Sequence, residues 1–155
     1  MSRSLGNLPM SQQERFKITP AVYLVLEKNE QILFSRRFNT GFEDGNYSFP
    51  AGHLEGNETA REAMAREAKE EIGITIDPSK LKMVHLMHRH CGDHERLDMF
   101  FIVEKWEGEI KNTEPHKCDD LSWFSKDDLP RNVIPYIGQF IDCYNQGVNY
   151  SEFGW

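Results

Sequence analysis

A continuous apolar run, Met99 to Val103, constrains the fold of this chain more than any other feature of the sequence. Successive side chains of a β-strand point to opposite faces of the sheet, so this run puts apolar groups on both faces. A strand of this kind is typical of a sheet that is covered on both sides. Because strands and long helices occur together in one short chain, the sequence predicts a layered α/β domain.

The remaining segments supply the other strands and the helices of such a domain. The predicted strands span residues 21–26, 31–35, 81–90, 96–106 and 121–124, and the predicted helices span residues 59–72 and 135–146. We expect the first two strands to pair as a hairpin across a turn at residues 28–30. Thr59 and Glu62 have the spacing of a capping box at the start of the first helix, and Gly73 favours its C-terminal cap.

Length and charge narrow the class of protein. The 155 residues suit one domain, which we place at residues 15–155 after a loose N-terminal segment at residues 1–14. The formal charge of −7 argues against binding to a nucleic-acid polymer, which needs clustered Lys and Arg. No apolar run approaches the roughly 20 residues of a membrane helix, so we expect no membrane association. Three Cys residues and the lack of a signal-peptide pattern favour reduced thiols and a cytoplasmic location.

The first predicted helix concentrates its acidic residues on one side. Glu67, Glu70 and Glu71 lie at i, i+3 and i+4 and so share one stripe, which adjoins the apolar stripe instead of opposing it. A solvated acidic face is the usual explanation of such a pattern. However, like charges at i and i+4 repel each other, and a divalent cation would relieve that repulsion. Carboxylates are hard ligands of the kind that Mg²⁺ or Mn²⁺ accepts, and Mg²⁺ often shares its coordination with substrate phosphates.

The segment from Gly52 to Ile74 reads GHLEGNETAREAMAREAKEEIGI and resembles the Nudix box, G-x5-E-x7-R-E-U-x-E-E-x-G-U, where U is a bulky aliphatic residue. The matching positions are Gly52, Glu58, Arg66, Glu67, Glu70, Glu71, Gly73 and Ile74, with the smaller Ala68 at the first U position. The resemblance implies a Nudix-type α/β/α sandwich around a mixed β-sheet. It also implies hydrolysis of a nucleoside diphosphate linked to another group, with Mg²⁺ as the cofactor and Mn²⁺ as an alternative.

The resemblance further implies a set of roles within the box. Glu67 and Glu71 correspond to principal metal ligands, and Glu70 to a further ligand or to the base that activates water. A backbone carbonyl of Ala51 or Gly52 would complete the metal site.

Three more box residues would support this site without taking part in the chemistry. Glu58 and Arg66 would pair with each other and brace the loop against the helix. Gly52 and Gly73 would be needed for their backbone conformation and not for chemistry, because glycine permits tight turns that a β-carbon obstructs.

Segments outside the box bear on the substrate. The pattern Glu114-Pro-His-Lys117-Cys118 is similar to a loop of MutT-like nucleoside triphosphate diphosphatases, which would make Glu114 a second candidate for the base and Lys117 a phosphate ligand. An ordinary polar turn is the alternative. Further candidates for substrate binding are Arg36 and Arg37 at the end of the second strand and His53 in the box loop.

These features favour hydrolysis of a nucleoside triphosphate to a nucleoside monophosphate and pyrophosphate, with a small nucleotide as the partner. The alternatives are a nucleoside diphosphate sugar, a dinucleoside polyphosphate or a non-catalytic Nudix ligand sensor. His85, His88, His90 and His94 surround Cys91, but their spacing matches no closed zinc site. The aromatic residues at 150–155 are expected to pack on their own domain or on a second subunit, which leaves a homodimer open.

Overall fold

The structure is a computed structural model that describes residues 14–155. Nearly all of the predicted loose segment 1–14 therefore lies outside the described residues. The elements are β1 (Thr19–Val25), β2 (Glu27–Lys28), β3 (Gln31–Arg37), β4 (Tyr47–Ser48), β5 (Ala51–His53), α1 (Ala60–Ile72), β6 (Lys82–His90), β7 (Glu95–Ile102), β8 (Cys118–Ser125), α2 (Pro135–Asn145) and β9 (Tyr150–Phe153), with a short 3-10 helix at Pro78–Lys80.

Two sheets form the framework. The larger sheet has the order β5-β1-β7-β6-β9 and is mixed, because β1 runs parallel to β7 and β6 parallel to β9, whereas the other pairs are antiparallel. In the smaller sheet β3 is the common strand, and it pairs antiparallel with β2, β4 and β8. Within the described part of the chain, neither helix has the length and apolar character needed to cross a bilayer.

The predicted hairpin between the first two strands is wrong. β1 lies inside the larger sheet between β5 and β7, and only the two residues of β2 pair with β3. The chain changes sheets at Leu26, whose carbonyl oxygen accepts a hydrogen bond from the N–H of Leu33 at 3.1 Å. β1 is buried on both faces, so an interior position removes more of its apolar surface from water than a two-stranded hairpin would.

The larger sheet has a separate core on each face, as the apolar run predicted. Phe100 of β7 stacks on Phe140 of α2 with ring centroids 4.1 Å apart. The next residue, Phe101, belongs to the opposite core, which it shares with Met64 of α1. The two helices therefore cover opposite faces of a mixed sheet, which confirms the predicted α/β/α class.

The helix boundaries agree with the sequence signals. The side chain of Thr59 accepts a hydrogen bond from the N–H of Glu62, and the Glu62 carboxylate accepts one from the N–H of Thr59. Gly73 ends α1 with a φ of 76°, a left-handed conformation that favours glycine. Pro135 begins α2, where its missing N–H costs no helical hydrogen bond.

Two features near the sheet edges differ from the prediction. The strand predicted to reach residue 106 ends at Ile102, because the chain then leaves the sheet and Glu107 pairs with the backbone of Thr75. β9 was not predicted, and it extends the sheet beside β6. The tail therefore packs on its own domain, with the Trp155 ring 4.7 Å from that of His88, and the homodimer stays a prediction.

We expect Phe140→Ala to lower the free energy of unfolding by about 3–5 kcal/mol, because it leaves a cavity between α2 and the sheet. Phe16→Ala is the matched control, since Phe16 is 72% exposed and should change stability by less than about 0.5 kcal/mol. Chemical denaturation followed by circular dichroism measures both values. Equal losses in the two variants would contradict this assignment of the core.

Candidate active site

A cleft of about 700 Å³ opens where α1, β5 and the loop before β8 meet. It brings together most of the residues that the sequence singled out, namely Arg37, Ala51, Gly52, His53, Glu67, Glu70, Glu71, Glu114 and Lys117. The carboxylates come from α1 and from the loop, whereas β3 and the loop contribute the cationic side chains. The cleft therefore combines an acidic wall with two cationic groups.

Glu71 is the acidic residue of α1 that the backbone of β5 holds in place. One carboxylate oxygen accepts a hydrogen bond from the N–H of Ala51 at 3.0 Å, which joins α1 to β5. Burial raises the pKa of Glu71 to about 8; the Ala51 N–H acts against this rise, and the nearby charges of Glu67 and Glu114 add to it. The site thus favours a positive charge beside this carboxylate.

Glu67 lies directly over Gly52 of β5. A β-carbon at position 52 would be only 2.0 Å from the carboxyl carbon of Glu67, so only glycine allows this approach. The Glu67 side chain is 13% exposed, and its burial raises its pKa. The role of Gly52 is therefore to let a buried carboxylate reach the cleft.

Arg66 links the loop before α1 to the acidic stripe. Its guanidinium donates two hydrogen bonds to the carboxylate of Glu58, at 2.8 and 3.0 Å, and one to the carbonyl oxygen of His53 at 3.1 Å. It also donates to Glu67 at 2.9 Å and reaches Glu70 at 3.4 Å. The hydrogen bond from Arg66 lowers the pKa of Glu58 to about 2, so this pair is charged at neutral pH.

The carboxylates of the site are engaged by the protein's own donors. Arg66 contacts Glu67, and the Ala51 N–H contacts Glu71. As placed, no three Asp, Glu, His or Cys side chains among residues 14–155 form a cluster that could hold an ion. A cation at this site would therefore take over oxygens that now accept hydrogen bonds from the protein.

The two neighbouring arginines of β3 have different positions. Arg36 donates to Asp119 at 2.7 Å and does not line the cleft, in contrast to its proposed role in substrate binding. Arg37 does line it, and donates to the carbonyl oxygen of Phe42 at 2.7 Å and to the Thr40 hydroxyl at 3.0 Å. Side chains of adjacent strand residues point to opposite faces, which explains why only one of them reaches the cleft.

A second, smaller cavity of about 260 Å³ adjoins the cleft; we call it the inner pocket. The two share Arg37, Ser48, Ala51, Gly52 and His53, and the inner pocket continues to Ala21, Tyr23, Phe42, Arg89, Arg96 and Tyr136. Sequence reasoning missed these further residues. The available signal was the presence of charged residues inside two strands that also carry core residues, Arg89 on β6 and both Arg96 and Asp98 on β7.

Residues 17–142 match the family model of the NUDIX domain. The chain is similar to an 8-oxo-dGTP diphosphatase of Escherichia coli K12, with 30% identity over 125 residues, 79% of this chain and 95% of that protein. It is also 30% identical over 136 residues to the NAD-capped RNA hydrolase NudC of Pseudomonas entomophila, which is 83% of this chain but only 45% of that protein. The crystal structure of a MutT NUDIX hydrolase from Burkholderia pseudomallei has the same fold, with a TM-score of 0.74 at 21% identity over 81% of this chain and 97% of that one.

The chain belongs to the NUDIX family. Within the family it is a MutT-like hydrolase, that is, a pyrophosphohydrolase enzyme.

We expect Gly52→Ala to lower the rate of hydrolysis by about 100-fold or more, while the protein stays folded. The added β-carbon would displace the flexible Glu67 side chain from the cleft without disturbing the sheet. Gly138→Ala in α2 is the matched control, because a β-carbon there has no neighbour within 4 Å among the described residues. Initial rates and thermal melting measure the two effects, and an active Gly52→Ala variant would contradict this role of Gly52.

Glu71 should make the metal-free protein less stable as the pH rises. The unfolded chain releases this proton near the ordinary pKa of about 4.5, whereas the folded protein keeps it up to about pH 8, so stability falls across that interval. Glu71→Gln imitates the protonated carboxyl and should reduce the fall. Melting temperatures from about pH 5 to 8 in the presence of a chelator test this, and parallel profiles would contradict it.

Proposed function

We propose that this enzyme hydrolyses a nucleoside triphosphate to a nucleoside monophosphate and pyrophosphate with the help of a divalent cation, Mg²⁺ or alternatively Mn²⁺. The observation that carries the proposal is the cleft itself. It sets half-buried carboxylates opposite two cationic side chains and adjoins a pocket large enough for part of a ligand. Such a cleft suits a polyphosphate at one end and an organic group at the other.

The donor set fits a hard divalent cation. Glu67, Glu70 and Glu71 are oxygen donors on one side of the cleft, and the pKa values of Glu67 and Glu71 are raised because their negative charges are buried. We assign Glu67 and Glu71 as principal ligands and Glu70 as either a further ligand or the base, with a carbonyl oxygen of Ala51 or Gly52 completing the site. When bound, the cation neutralises phosphate charge and lowers the pKa of a bound water.

The protein's own groups would then divide the remaining work. Arg37 and Lys117 would contact phosphate oxygens, since both line the cleft. Glu70 is our first choice for the base that takes a proton from the attacking water, since its side chain is 49% exposed and accessible to solvent. Glu114 is the second choice, because it lines the same cleft from the opposite loop.

The supporting residues act through others. Arg66 would hold the box loop against α1 through its pair with Glu58, and Gly73 would end the helix so that the chain turns away from the cleft. His53 lines both cavities and would lie near the junction of phosphate and organic group.

The similarity to an 8-oxo-dGTP diphosphatase supports a triphosphate substrate. The similarity to NAD-capped RNA hydrolases favours a second candidate, a nucleoside diphosphate joined to another group, as in a nucleoside diphosphate sugar or a dinucleoside polyphosphate. The box keeps every acidic residue of its pattern, which argues against a ligand sensor without activity. The proposal also places the enzyme in the cytoplasm, where such nucleotides occur.

A panel of nucleoside triphosphates, nucleoside diphosphate sugars and dinucleoside polyphosphates, each with Mg²⁺, tests the proposal when the products are separated by chromatography. We expect monophosphate and pyrophosphate from a triphosphate, and a loss of about 100-fold or more in Glu71→Gln. Glu104→Gln is the control for loss of one negative charge, because Glu104 is exposed outside the cleft.

Two outcomes would contradict the proposal. Turnover of sugar-linked or dinucleoside compounds with triphosphates untouched would move the substrate to the second candidate. Tight binding of a nucleotide without any hydrolysis would identify a sensor instead of an enzyme.

A further inference from the structure

The inner pocket is rich in cations although the chain as a whole carries a formal charge of −7. Among the described residues that line it, three are arginines, Arg37, Arg89 and Arg96, and none is Asp or Glu. Its wall is therefore made of hydrogen-bond donors and aromatic rings. A donor-rich pocket selects a ligand that presents acceptors.

Arg89 is buried, and its guanidinium is already engaged by the protein, so few of its N–H groups are available to a ligand. It donates to the buried carboxylate of Asp98 at 2.7 Å, and its guanidinium carbon lies 3.8 Å from the ring centre of Tyr136. It also reaches the Tyr23 hydroxyl at 3.4 Å. Arg89 and Asp98 thus form a charge pair that neutralises itself within the core.

Arg96 is left with an incomplete set of partners. Its one carboxylate contact among residues 14–155 is a long hydrogen bond from Nε to Asp98 at 3.4 Å, and Arg89 already holds that carboxylate. The Arg96 side chain is only 17% exposed, and its two terminal nitrogens have no hydrogen-bond partner within the same residues. These nitrogens remain accessible from the pocket, so a ligand there can supply acceptors that the described residues do not.

We propose that Arg96 is a specificity-determining residue that donates two parallel hydrogen bonds to a planar pair of acceptors on the substrate, namely O6 and N7 of a guanine base. This inference rests on the proposed function, because it places the base of the nucleotide in the inner pocket and the phosphates in the cleft. The shared wall of Ala51, Gly52 and His53 makes the two cavities continuous enough for one nucleotide to occupy both.

The chemistry of the pocket favours guanine over the other bases. The guanidinium fork matches two adjacent acceptors, and guanine offers such a pair at N7 and O6, whereas adenine offers one acceptor beside an amino donor. The rings of Tyr23, Phe42 and Tyr136 line the same cavity and supply the apolar surface against which a base packs. Asp98 and Arg89 act as positioning residues, because they hold the strand from which Arg96 extends.

Guanine and 8-oxoguanine differ in the acceptors that they would present to Arg96. Oxidation at C8 places a hydrogen on N7, so that one of the two acceptors becomes a donor facing a cation that can only donate. This enzyme should therefore prefer dGTP to 8-oxo-dGTP, although it is similar to a protein named for the oxidised nucleotide.

Single-atom substrate changes test the assignment. We expect 7-deaza-dGTP, which lacks the N7 acceptor, and 8-oxo-dGTP to have kcat/KM values at least about tenfold below that of dGTP. In Arg96→Ala this contrast should disappear, because the fork is gone. Arg96→Lys should also lose most of it, since lysine keeps the charge but cannot make the planar pair of bonds.

Controls separate recognition from folding. Asp98 keeps its 2.7 Å bond from Arg89 in both Arg96 variants, so their melting temperatures should remain close to that of the wild type. Arg131→Ala removes an exposed arginine that does not line either cavity and should leave the dGTP contrast unchanged. An Arg96→Lys variant that keeps the full contrast between dGTP and 7-deaza-dGTP would overturn the proposal.

Equilibrium binding tests the role of Arg96 without requiring hydrolysis. Calorimetry should give a Kd for guanosine monophosphate at least about tenfold below that of its 7-deaza analogue, with the difference lost in Arg96→Ala. If this contrast holds but no triphosphate is hydrolysed, the proposed function fails and the assignment of Arg96 stands. If triphosphates are hydrolysed with no contrast in either assay, the assignment of Arg96 fails alone.

An acidic group attached to the nucleotide could supply the same planar acceptors. Comparing the binding of a uridine diphosphate sugar acid with that of its neutral sugar counterpart tests this second source of acceptors. Binding that depends on the sugar carboxylate and on Arg96, without any preference for guanine, would overturn the assignment to a base.

Discussion

The close approach of α1 to β5 is the contact on which the rest of the site depends. Two half-buried carboxylates of the helix lie against β5, where Glu71 accepts a hydrogen bond from the N–H of Ala51 and Glu67 packs over Gly52. A helix carrying so much negative charge would normally turn it toward water. Here the apolar stripe is buried in the core, and the adjoining acidic stripe is drawn down with it to the edge of the sheet. The fold thus holds these carboxylates where burial disfavours their charged form and where a cation would stabilise it.

Local sequence signals correctly predicted those features that depend only on residues close together in the chain. The capping box at Thr59 and the glycine after α1 set the helix boundaries correctly, because the groups that they satisfy lie within one turn. The apolar run at 99–103 predicted a sheet covered on both faces, since that conclusion depends on the strand alone. The spacing of the acidic residues predicted a common stripe for the same reason.

The errors concern choices between distant partners. Residues 21–26 and 31–35 looked like a hairpin, but β1 gained more by entering the larger sheet than by pairing with its neighbour in sequence. β9 depends on an edge that only β6 provides, and no local pattern marks it. The inner pocket was missed because its residues come from most of the strands, from a loop and from α2, which only the folded chain brings together. The availability of Arg96 depends on a contact between two other residues, the hydrogen bond from Arg89 to Asp98.

The negative charge of the chain therefore has two opposite local consequences. Around α1 it gathers the carboxylates that we propose bind a metal ion, whereas the inner pocket is lined by arginines and by no Asp or Glu among the described residues. The residues of β5 line both environments, so one nucleotide can place its phosphates in the cleft and its base in the inner pocket. The groups that would do the chemistry lie on α1 and the loop before β8, and the groups that would read the base lie on β6 and β7. Because different elements would carry the two tasks, a change of substrate would require substitutions on the strands and none in the helix that we propose binds the metal.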